Sequence, residues 1–167
     1  MARDERGESS VPAILMTMGG GGHLYQVQCL AQQLRDKSRL EFVTSEDSLS
    51  LAKSDDTIYV VPSLGGFGRS RVGQVASGMR AVVGCIRIVR ETRPDVVIGL
   101  GTSLSVPLLL AAKLCGVRGM FIESITRVDS PSMTLKVIKR LRLADRCYVQ
   151  WPELASSSGA VFRGNVL

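Results

Sequence analysis

The sequence predicts a Rossmann-like, doubly wound α/β domain, and three observations predict it. Short apolar runs alternate with segments of helical periodicity. The runs are apolar throughout, as in strands buried on both faces of a parallel sheet. Two of them stop at glycine-rich turns that lead straight into helical patterns. The 167 residues suffice for one domain with a sizeable core.

Taken in order, residues 1–10 (MARDERGESS) are charged and small and read as a disordered leader before a domain over 11–167. Val11–Thr17 is a first strand. From Leu24 to Leu34, apolar residues recur at three and four, the spacing of a helix. RLEFVTS and TIYVVP are the second and third strands, and Leu64–Gly68 is a glycine-rich loop. A long helix over Arg71–Glu91 ends before Pro94, because the residue preceding proline avoids helical geometry. DVVIGLG is the fourth strand. The next helix runs from Leu104 to Cys115, with Gly116 as its stop. GMFIES is the fifth strand, Met133–Leu143 a short basic helix, and RCYVQW a sixth strand closed by Pro152. The tail GAVFRGNVL holds one more short strand.

Composition narrows the function classes. Hydrophobic residues make up 45% and charged residues 22%, as in ordinary globular domains. No apolar run reaches 18 residues, so the sequence holds no spanning helix. The four cysteines are far apart and read as reduced thiols, and with one histidine they make no zinc set. The net charge is +6, concentrated in residues 62–144, which hold 13 basic and 4 acidic side chains. Such a region attracts phosphate-rich partners. With only 8 aromatics and no RNA or DNA motif, nucleic acid is not expected among them.

Ligands of doubly wound sheets bind at the carboxyl ends of the strands. Gly19, Gly20, Gly21 and Gly22 lie there, followed by His23 at a helix start. Glycines let backbone amides approach an anion, and the helix directs its positive end to the same place. His23 titrates near neutrality and suits a general base; capping the helix is its bland alternative. A dinucleotide site is the obvious competitor, but the third glycine of its fingerprint is replaced by Tyr25. A second loop, with Gly101, Thr102 and Ser103, repeats the design; its hydroxyls hold a polar ligand group or, with Ser105, cap the helix. Glu123 and Arg127 follow the fifth strand, as functional groups or as a pairing that fixes the loop. On the long helix, Met79 and Val83 belong to a wide apolar arc flanked by Arg80 and Arg87. That suits packing on the sheet or lying on an anionic membrane.

Gly19–His23, ESITRV at Glu123–Val128 and above all LADRCYVQWPEL at Leu143–Leu154 resemble the Alg-fourteen family and its bacterial PssD and CpsF type relatives. The resemblance runs from about Val11 to the C-terminus. It implies one half of a GT-B glycosyltransferase, the N-terminal, acceptor-side half of a MurG-like enzyme. A separate subunit would supply the donor-binding C-terminal half and dock at the C-terminal tail, where RGNVL resembles the string closing this half in single-chain relatives. The implied reaction is inverting transfer from a UDP-sugar to a polyprenyl-diphosphate-linked acceptor in exopolysaccharide or capsule synthesis. No other cofactor and no metal are implied, since amides and helix dipoles can stabilise the leaving diphosphate. The resemblance makes His23 the base or the group orienting the acceptor, with Glu123 as the competing base. The glycines and Gly101–Ser103 would contact diphosphate and substrate, and Arg127 an anionic group. Peripheral attachment at the cytoplasmic face of the inner membrane follows. A NAD(P)-dependent oxidoreductase and a non-catalytic scaffold that brings the donor-binding subunit to the membrane are the alternatives.

Overall fold

A computed structural model describes residues 11–51, 56–64 and 71–167. The strands are β1 (Ala13–Thr17), β2 (Arg39–Ser45), β3 (Ile58–Val61), β4 (Val96–Leu100), β5 (Arg118–Ile122), β6 (Arg146–Val149) and β7 (Val161–Phe162). The helices are α1 (Gly22–Leu34), α2 (Arg71–Thr92), α3 (Ser105–Leu114), α4 (Met133–Arg140) and α5 (Pro152–Ser158), with a 3-10 turn at Glu46–Leu51. The expected leader and most of the Leu64–Gly68 loop lie outside the described residues.

All seven strands pair in parallel in the order β3-β2-β1-β4-β5-β6-β7. The order runs one way from β1 to β3 and the other way from β4 to β7. The topological switch point, where such sheets open a crevice, therefore lies between β1 and β4.

Alternate residues of each strand feed two cores. Leu15, Val43, Val97, Phe121 and Val149 pack under α2, α3, α4 and α5, through Cys85, Leu108, Ile138 and Leu154. Met16, Phe42, Ile98 and Leu100 pack on the opposite face with Val27 and Ala31 of α1. All four cysteines are free, and Cys85 is fully buried.

Two elements depart from the sequence expectation. Residues after Pro152 form α5, which the serine-rich segment gave no periodicity to reveal. Its start has proline in the first turn, and its stop is Gly159 in the left-handed conformation. The long helix α2 has two apolar faces. Ala81, Cys85, Ile88 and Val89 pack inward, whereas Val75, Met79 and Val83 of the expected arc stay exposed.

At the amino-terminal edge of the sheet, carboxylates satisfy strand amides. Asp95 accepts from the Ala13 amide at 2.8 Å, and Asp145 accepts from the Gly119 amide at 2.8 Å. Lys113 donates to the Arg142 carbonyl at 2.6 Å beside the second of these.

Candidate functional site

The switch point brings together the glycine loop after β1 and the one after β4. A Cβ on Gly19 would lie 2.4 Å from the Thr102 side chain. A Cβ on Gly101 would lie 2.7 Å from His23 Nδ1, and Gly101 has φ +60°, which L side chains rarely adopt. The two loops touch because these positions carry no side chain. Thr17 secures the seam: its hydroxyl accepts from the Leu100 amide at 2.8 Å and shares a longer contact with the Ser105 hydroxyl.

Neither helix beginning here has a side-chain cap. Gly21 caps α1 and Leu104 caps α3 without a side-chain bond, and the Ser105 and Val106 amides of α3 donate to the Thr102 and Ser103 carbonyls, both at 3.1 Å. The expected hydroxyl cap on α3 is absent: Ser105 is the first helical residue, fully buried, with its hydroxyl near those of Thr17 and Thr102. The α1 start contains no acidic residue either. Two positive helix ends therefore face one crevice.

His23 lies on the first turn of α1 and is half-buried. Its Nδ1 is buried and has no hydrogen-bond partner among the described residues. Burial holds the imidazole pKa below the ordinary 6.5, the Glu123 charge pulls it up, and the Arg127 charge pushes it down again. The neutral, proton-accepting ring is thus favoured near pH 7.

Glu123 is fully buried. Its Oε1 accepts from the Ser124 amide and its Oε2 from the Ser132 amide, both at 2.9 Å. The carboxyl thus fixes the loop between β5 and α4, the backbone pairing named as an alternative in the sequence. Arg127 is exposed on that loop. Gly21, Gly22 and Ser103 are exposed at the crevice rim, while Gly20 and Thr102 are half-buried.

Sequence reasoning missed Gln26 and Gln150, both almost fully buried. Gln26 Oε1 accepts from the Ile125 amide and from Gln150 Nε2, both at 2.9 Å. Gln150 Nε2 also donates to the Glu123 carbonyl at 2.8 Å. Trp151 Nε1 donates to the Ile125 carbonyl at 2.6 Å, so the QW pair of VQWPEL holds this loop from behind. A polar residue followed by an apolar one in a helix normally signals a solvent face, and only the resemblance marked VQWPEL at all.

Beside the crevice, a groove of about 480 Å³ runs from Met79, Val82 and Val83 of α2 to Ser103 and to Val106 and Leu110 of α3. Arg80 and Arg87 are exposed on α2 and line a neighbouring groove. No helix among the described residues is long and apolar enough to cross a membrane, and no cluster of three metal-ligating side chains occurs among them.

Known proteins share this architecture. Residues 14–166 match the family described as oligosaccharide biosynthesis protein Alg14 like. The UDP-N-acetylglucosamine--N-acetylmuramyl-(pentapeptide) pyrophosphoryl-undecaprenol N-acetylglucosamine transferase of Lawsonia intracellularis is 30% identical over 146 residues. That match covers 84% of this chain and 39% of the relative. The UDP-N-acetylglucosamine transferase subunit ALG14 of Mus musculus is 25% identical over 167 residues, covering 84% of this chain and 76% of the relative. The crystal structure of Acinetobacter baumannii MurG superposes with a TM-score of 0.71 at 20% identity, over 84% of this chain and 42% of that one. The chain thus spans well under half of the bacterial transferases it matches, and its sheet has the fold of part of MurG. A family match over residues 14–166, with glycine loops meeting at the switch point of a seven-stranded parallel sheet, makes this chain a member of the Alg14-like family.

Proposed function

We propose that this chain is the acceptor-side half of an inverting UDP-sugar transferase whose donor-binding half is a separate chain. It extends a polyprenyl-diphosphate-linked saccharide in exopolysaccharide or capsule synthesis, at the cytoplasmic face of the inner membrane. One observation carries the reading: His23, its Nδ1 sealed against Gly101, stands at the meeting of two helix starts that have no side-chain cap. Likeness to a mouse protein named as a transferase subunit, over 76% of its length, supports a separate partner.

The acceptor hydroxyl attacks the anomeric carbon, a new C–O bond forms, and the bond to the UDP oxygen breaks. His23 takes the hydroxyl proton through Nε2, because Nδ1 is closed off. The open first turn of α1 faces the charge that develops on the diphosphate, with the positive end of α3 beside it. Glu123 has both oxygens engaged by amides, which favours His23 as the base. Arg127, exposed beside this centre, meets an anionic group of acceptor or donor.

The apolar part of the acceptor lies along the α2–α3 groove. Exposed Met79 and Val83, with Arg80 and Arg87 beside them, rest on anionic lipid. Flotation with anionic vesicles tests this: Met79→Asp with Val83→Asp must release the protein, and unchanged flotation removes the membrane claim.

The main test is reconstitution with a donor-binding chain, a radiolabelled UDP-sugar and a polyprenyl-diphosphate acceptor. Transfer must need both chains, and His23→Ala must lower kcat by about 10²–10⁴-fold with folding intact. An unchanged rate in both His23→Ala and Glu123→Ala would leave the chain a scaffold. Transfer by this chain alone would remove the two-chain reading.

A further inference from the structure

The buried amides of Gln26 and Gln150 form a continuous path between the C-terminal segment and the helix start that carries His23. The path begins at the Val166 amide, which donates to Gln150 Oε1 at 3.0 Å. Gln150 Nε2 then donates to Gln26 Oε1, and Gln26 Nε2 donates to the Gly22 carbonyl at 3.3 Å, with the Ser124 hydroxyl at 3.4 Å. Gly22 is the first residue of α1 and the neighbour of His23.

The partners fix the direction of every amide. Gln150 must point its oxygen at the Val166 amide and its nitrogen at the Glu123 carbonyl; reversed, it would set like against like at both ends. Gln26 must point its oxygen at two donors and its nitrogen at the Gly22 carbonyl. Both side chains are at most 3% exposed, so a lost partner is not replaced by water. A fold that needed only stability here would fill the space with leucine, since satisfied buried amides contribute little net free energy.

The geometry points to Gln26 and Gln150 as positioning residues that transmit the seating of Val166 to His23. Gln26 grips the α1 start and the Ile125 amide of the β5–α4 loop together, so it sets His23 relative to Glu123 and Arg127. Val166 is itself buried, on the segment that follows β7. Whatever seats or lifts this segment acts on the reacting centre through two side chains. This rests on the reading of His23 as the base.

The test uses the chain's only histidine as its own reporter, by NMR titration of the ring of the full chain. Val166→Pro removes the amide donor, whereas Val166→Ala keeps it. Val166→Pro and Gln150→Leu are expected to raise the His23 midpoint toward the ordinary value, as the ring loses burial. In the paired enzyme they lower kcat by about tenfold at unchanged KM for the donor. Val166→Ala must match wild type in both readouts. Val166 lies outside every strand and helix, so Val166→Pro answers even if Gln150→Leu does not fold. Identical titrations for Val166→Pro and Val166→Ala overturn the relay. A shifted titration with no role for His23 in transfer keeps the relay and removes the catalytic reading, so the two failures are distinguishable.

Discussion

At the amino-terminal edge of the sheet, Asp95 and Asp145 close off the amides of Ala13 and Gly119; at the carboxyl-terminal edge, α1 and α3 begin with no side-chain cap. Away from the switch point α4 carries a side-chain cap, whereas α5 begins on Trp151 without one. Ser132 precedes the eight-residue α4 as its N-cap, and its hydroxyl accepts from the Leu135 amide at 3.0 Å. An N-cap contributes about 1 kcal/mol, so the start of α1 forgoes stability that α4 keeps, while at α3 the Ser105 and Val106 amides turn back to the Thr102 and Ser103 carbonyls. One edge closes its amides on carboxylates, and at the other no side chain of the N-cap residue closes the first turn of α1 or α3.

The sharpest break is Gly101→Val. It strains a backbone with φ +60° and drives a side chain into His23, so transfer by the paired enzyme falls by about a hundredfold or more. Urea denaturation should show a loss of about 1–2 kcal/mol from the conformation alone. Next comes Glu123→Gln, which turns an NH2 toward the amide of Ser124 or Ser132. It costs about 1–3 kcal/mol, read by the same denaturation; an unchanged midpoint would return Glu123 to the list of bases.

Asp145→Ala tests the other edge. It leaves the amide of buried Gly119 without its acceptor, costs about 1–3 kcal/mol, and leaves the transfer rate at the wild-type value. A fall in rate would show that the two edges are not separate.

The smallest effect is in the pH profile. His23 titrates below 6.5 in the folded chain, so the acid limb of the transfer rate lies below pH 6.5. Stability changes in the same window. Between the lowered value and 6.5 the unfolded chain binds more protons, so stability falls as pH drops from 6.5 and the loss is complete below the lowered value. An acid limb at or above 6.5 would show that the base is another group.

The sheet was legible because strands buried on both faces are written as uninterrupted apolar runs such as DVVIGLG. The crevice was legible because glycines stood where strands handed over to helices. α5 was not, since PELASSS carries one buried leucine and no period. Glu123 was found by position, but its role depended on Ser132, nine residues away. The Gln26–Gln150 bond joins residues 124 positions apart, and no local pattern encodes such a pairing. The exposed stripe on α2 merged with the buried one because alanine and valine serve both faces.

Cys85, at the centre of the larger core, makes the chain its own clock. Burial pushes its thiol up to about 12, so at pH 8 only about one molecule in ten thousand holds the reactive thiolate. Iodoacetamide should reach half-buried Cys29, Cys115 and Cys147 first. Modification of Cys85, counted by mass, then times each opening of the domain without any added label.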